Sequence, residues 1–129
     1  MRYTWVLIVL LFVTCNKDKG HDSILGQWKC EEYRESGENS QFVVSISRDV
    51  LASDTVSYVI SNFYKLGTTN EALVRFKLSA DGTITIPNQI VMQTNISGTG
   101  NVESNFSKIN LTYDIQSTKF NGKVVATFY

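Results

Sequence analysis

Histidine occurs once in these 129 residues, proline once and cysteine twice. His21 lies in a polar stretch, where it cannot be held against a serine or cysteine nucleophile in fixed geometry. One histidine and two cysteines also fall short of a zinc site of recognised spacing. There is no Gly-x-Ser-x-Gly, Walker or dinucleotide glycine pattern. Gly98-Thr99-Gly100 lacks the third glycine and a following helix, so it reads as a turn or bulge. Asp81-Gly82 lacks the repeated oxygen ligands of a calcium loop. Charge of one sign is missing as well. Twelve Lys and Arg balance twelve Asp and Glu, which leaves no basic face for a nucleic acid. No enzyme, cofactor or metal site is expected. The longest apolar run, Trp5 to Val13, has nine residues, against the roughly 20 that a membrane-crossing helix needs.

That run is nevertheless informative by its position. Met1-Arg2-Tyr3-Thr4 carries one positive charge before it, and Asn16-Lys17-Asp18-Lys19-Gly20-His21-Asp22 is polar after it. This is the layout of a secretory signal. Phe12-Val13-Thr14-Cys15 resembles the lipobox of bacterial lipoproteins. The resemblance implies a signal peptide over 1–14, cleavage before Cys15 and acylation of Cys15 by palmitate or similar chains. It also implies a lipid-anchored protein of the outer membrane, on a face the sequence does not specify. At about 0.8 kcal/mol per buried methylene, more than one chain gives stable anchoring. The rival reading keeps Cys15 as a plain thiol, or pairs it with Cys30 in a disulfide, which an exported location permits. Residues 15–23 then form the lipidated N-terminus and tether, and 24–129 one domain, a length suited to a single core.

Within that domain apolar and polar residues alternate with a period of two, the mark of half-buried strands. The clearest case is Ile109-Leu111-Tyr113-Ile115 against Asn110-Thr112-Asp114-Gln116. Further strands are predicted around 27–33, 42–47, 56–61, 73–78, 83–86, 89–94, 97–103 and 124–129. Turns are predicted at Ser36 to Ser40, Gly67 to Asn70, Asp81-Gly82, Pro87-Asn88 and Asn121-Gly122. Ser61 to Leu66 reads as a short helical turn or a strand end. Eight or nine short strands at this spacing predict an all-β domain, a small antiparallel up-and-down barrel.

Gly26-Gln27-Trp28 resembles the Gly-x-Trp that opens the barrel of calycins, the lipocalin-like folds. The body also resembles small lipocalin-like lipoproteins of Gram-negative bacteria, through Ile60 to Gly67, Thr83 to Pro87 and Gly98 to Asn101. The resemblance implies that Trp28 plugs one barrel end. It also implies a cation near the last strand packed on the tryptophan, and the cations there are Lys119 and Lys123.

Trp28, Cys30, Phe42, Val44, Ile46, Tyr58, Leu111 and Tyr113 are the expected inward residues, forming either a ligand pocket or the barrel core. Glu32 shares the face of Trp28 and Cys30. It is either a solvated carboxylate at the mouth, paired with Arg34 or Arg75, or a buried polar anchor. Arg75 and Lys77 are expected to face solvent. Two functions follow. One is a binding or accessory domain that takes a small apolar ligand at the barrel mouth. The other is a structural or protein-interaction module with a barrel filled by its own side chains.

Overall fold

The computed structural model describes His21 and residues 23–129. The expected signal peptide, Cys15 and most of the tether lie outside the described residues. Eight strands follow in order: β1 (Gly26–Arg34), β2 (Asn39–Arg48), β3 (Ser57–Ser61), β4 (Val74–Leu78), β5 (Thr83–Val91), β6 (Thr94–Val102), β7 (Ile109–Gln116) and β8 (Asn121–Phe128). Each pairs antiparallel with the next, and β8 returns to pair with β1, closing an up-and-down barrel. Closure removes the free edges that an open sheet would expose. The alternation read from the sequence sets the faces. In β7, Ile109, Leu111, Tyr113 and Ile115 are buried and Thr112, Asp114 and Gln116 are exposed.

Three expectations are corrected along the chain, one of them Asn121-Gly122, which opens β8 opposite Gln116 and Ile115 rather than forming a turn. Pro87-Asn88 is not a turn, because β5 runs through it. Ile86 pairs with Gly98 and Gln89 with Ile96, so the two residues between them form a bulge opposite Ser97. Proline lacks the ladder N–H, and a bulge accommodates it. The ladder between β4 and β5 covers only Lys77–Thr85 and Leu78–Ile84. Beyond it the Gln89 amide bridges the strands: Oε1 accepts from Arg75 N at 2.9 Å and Nε2 donates to Arg75 O at 2.8 Å. The hairpin turn falls instead at Met92-Gln93, between β5 and β6.

Gly98-Thr99-Gly100 is the third correction. It is the interior of β6, neither turn nor bulge. Gly98 lies opposite Tyr113, and Gly100 opposite Leu111. A Cβ on Gly98 would stand 2.5 Å from Tyr113 Cβ, and one on Gly100 would stand 2.6 Å from Leu111 Cδ2. Two missing side chains on β6 thus make room for two large ones on β7.

The interior is filled in this way throughout. Trp28, Phe63, Phe76, Tyr113 and Phe128 are almost fully buried, together with a set of isoleucines. The gap among Ile46, Ile60, Phe76, Ile84, Ile109 and Leu111 has no room for a water molecule. The two barrel ends differ. At the end where β1 begins, Trp28 is 1% exposed, and its indole N–H donates to Ile24 O at 2.9 Å. The His21 ring stacks on it at 3.5 Å, and His21 N donates to Phe106 O. His21 is therefore fixed against the barrel rather than carried free in the tether, and it covers the tryptophan. Neither Lys119 nor Lys123 does so. Lys119 lies at the opposite end beyond β7, and Lys123 sits 3.7 Å from Asp114.

Candidate functional site: the barrel mouth

Strand direction brings four connections to the end opposite Trp28: β1–β2, β3–β4, β5–β6 and β7–β8. Between them lies an open recess of about 670 Å³. Its walls include Arg34, Tyr64, Leu66, Gln93, Lys119 and Phe120. This volume is within the range of small-ligand sites.

Arg34 forms part of the recess wall. On β1 the inward positions run Trp28, Cys30, Glu32, Arg34, from the plugged end to the mouth. The hairpin after β1 is fixed by Arg34 N donating to Glu38 O and Gly37 N to Arg34 O, both at 2.9 Å. The Arg34 guanidinium lies 4.7 Å from the Tyr64 ring centre and 5.3 Å from that of Phe120. Its Nη1 donates to Glu38 Oε2 at 3.1 Å. The Arg34 side chain is 22% exposed and that of Glu38 70%, so the pair is a screened surface contact.

The backbone around the recess is unusual. Among the described residues seven non-glycines have positive φ, and five of them are at this end: Asn62, Tyr64, Lys65, Met92 and Gln93. Met92 and Gln93, at φ 50° and 60°, take the signs a two-residue hairpin turn requires without the Asn-Gly that usually supplies them. Such strain concentrates at binding sites and switches. Asn62 is anchored by its side chain, whose Nδ2 donates to Val43 O at 3.0 Å.

Beneath the recess lies Glu32, 1% exposed. The solvated, ion-paired reading of this residue is thereby overturned, and Arg75 bonds to Asp49 instead, at 2.9 Å. The Tyr113 hydroxyl donates to Glu32 Oε1 at 2.6 Å. Oε2 has no hydrogen-bond partner. Burial pushes the Glu32 carboxyl above the ordinary range, and Tyr113, Arg34 and Lys65 oppose that shift only in part. Burial, with the neighbouring Glu32, also pushes the Tyr113 phenol well up. Burial raises Cys30 too, helped by Glu32 and Glu31. Among the described residues Cys30 has no disulfide partner, and its burial favours the protonated thiol over the thiolate.

Of the expected inward residues, Trp28, Cys30, Val44, Ile46, Tyr58, Leu111 and Tyr113 are all buried in the core. Phe42 is half-buried, with the Lys65 ammonium 5.6 Å from its ring centre. None of them lines the mouth recess. Sequence reasoning missed Arg34 as a site residue, along with Tyr64, Gln93, Lys119 and Phe120. Only Arg34 had a usable signal, since it continues the inward alternation of β1. Among the described residues, no three His, Cys, Asp or Glu side chains converge as metal ligands.

No family model matches the chain, and no curated protein matches it. Among solved structures it is similar to a redesigned β-barrel, with a TM-score of 0.56 and 12% identity over 81% of this chain and 88% of the other. That likeness concerns the fold alone.

Proposed function

We propose that this protein is an exported, lipid-anchored binding domain whose recognition site is the mouth of a filled barrel. The observation that carries this reading is the contrast between the two volumes. The mouth offers about 670 Å³, while the centre of the barrel does not admit water. A deep ligand cup is therefore not the binding mode. A small molecule would lie across the mouth, with its apolar part against Tyr64, Leu66 and Phe120. An open recess leaves part of a bound ligand in water, and micromolar rather than nanomolar affinity is the expectation. His21 joins the barrel at the plugged end, so an anchor at Cys15 would leave the mouth clear of the point where the chain enters the barrel.

The site is tested by titrating the full chain with the neutral fluorophore N-phenyl-1-naphthylamine. Saturable binding in the micromolar range is expected, lost in Tyr64→Ala/Phe120→Ala and kept in Ile84→Val. Absence of saturation, or equal binding by the mouth variant, contradicts the reading. The anchor has its own test in cell fractionation: Cys15→Ala should move from the membrane to a soluble exported fraction. A variant that stays membrane-bound with unchanged mass refutes it.

The interaction-module alternative keeps one supporting observation, the filled interior itself. A chain that binds no small molecule at the mouth would favour it.

A further inference from the structure

Arg34 presents more donor capacity than the fold uses. A guanidinium has five N–H groups in a planar fork. Among the described residues its side chain makes one hydrogen bond, from Nη1 to Glu38 Oε2. The rings of Tyr64 and Phe120 hold the plane in place, so little further ordering is needed when a ligand binds. The one partner, Glu38, is 70% exposed in its side chain and is held by nothing else among the described side-chain contacts. It occupies one position of the fork while leaving the rest open to the recess.

We propose that the mouth recognises a carboxylate carried on a small aromatic or short apolar body, with Arg34 as the anion-reading residue and Glu38 as a built-in competitor that the ligand displaces. This deepens the mouth-binding reading above and rests on it. The incoming carboxylate takes two parallel N–H···O bonds from the fork, where Glu38 takes one. Its body lies on Tyr64 and Phe120, and the filled interior below leaves a long chain nowhere to enter. Lys119, also in the lining, makes no ion pair among the described residues, and it adds positive charge to the recess. Burial pulls the carboxyl of Glu32, beneath the recess, toward its neutral form, which weakens its opposition to an incoming anion.

The test is calorimetric titration of the full chain with 1-naphthoate, 1-naphthamide and 1-naphthylmethylamine. These share one ring system and carry a negative, a neutral and a positive group. Naphthoate should bind about tenfold or more tightly than naphthamide, as charge-assisted bonds to a half-buried guanidinium require, and the amine most weakly. Arg34→Gln should weaken naphthoate about tenfold and naphthamide far less, a split that simple loss of folding would not produce. Arg34→Lys should restore part of it. Glu38→Gln should tighten naphthoate binding several-fold. Equal binding of naphthoate and naphthamide at the mouth overturns the carboxylate proposal and leaves the mouth reading standing. Naphthoate affinity unchanged in Arg34→Gln, or no gain in Glu38→Gln, overturns the role given to that residue. Failure of all three probes to bind overturns the proposal and the mouth reading together.

Discussion

Glu32 concentrates the physical tension of this barrel in one side chain. An inward carboxyl among apolar neighbours must be paired or neutral, and here one oxygen is bonded to Tyr113 while the other is not. Its folded pKa lies above the ordinary value, chiefly through burial. The unfolded carboxyl titrates near ~4.3. Below that range both states hold the proton, and the neutral pair contributes fully. As pH rises, the unfolded chain releases its proton first, so stability falls until folded Glu32 ionises as well. Urea titrations across this range should show that decline, and Glu32→Gln should flatten it. A Gln variant with the same pH slope as the natural chain would show that Glu32 is not the titrating group. Tyr113→Phe leaves both carboxyl oxygens without a partner and should cost about 1–3 kcal/mol. At the plugged end, Trp28→Ala removes an almost fully buried indole and should cost about 3–5 kcal/mol in thermal melts. A loss under about 1 kcal/mol would contradict its role as the plug.

At the scale of the strand, what the sequence makes legible depends on whether the cause is local. The alternation in β7 was readable because burial of one face writes a period of two directly into the chain. The eight strands and closed barrel follow from such segments. Pro87 misled because its compensation is remote, with the Gln89 side chain bridging to the Arg75 backbone of β4. Gly98 and Gly100 misled for the same reason, since the side chains that need their space are on β7. Gly98→Ala and Gly100→Ala should therefore destabilise the barrel far more than an exposed substitution such as Thr99→Ala, by about 1–3 kcal/mol each through overpacking. Denaturant midpoints check this, and a neutral Gly98→Ala would show that β6 and β7 are not so close. The mouth was the least legible feature. Its walls come from four connections far apart in sequence, and the Met92-Gln93 turn carries none of the residues that announce positive φ.

On the scale of the whole molecule, small and large side chains interlock to close the interior, and the two ends divide their roles. One end is sealed by Trp28 under His21, while the other is open, strained and lined by an arginine on two aromatic rings. The proposed binding site of a barrel built this way is its rim, since the centre has no room for water. Amide and methyl NMR shifts, followed while 1-naphthoate is titrated into the full chain, probe that division most directly. Shifts should be confined to Arg34, Glu38, Tyr64, Leu66, Gln93, Lys119 and Phe120, with Ile46, Ile84 and Leu111 unmoved. Saturable shifts centred on Ile46, Ile84 and Leu111 would mean that the interior opens to a ligand, and would contradict the filled barrel with a binding mouth.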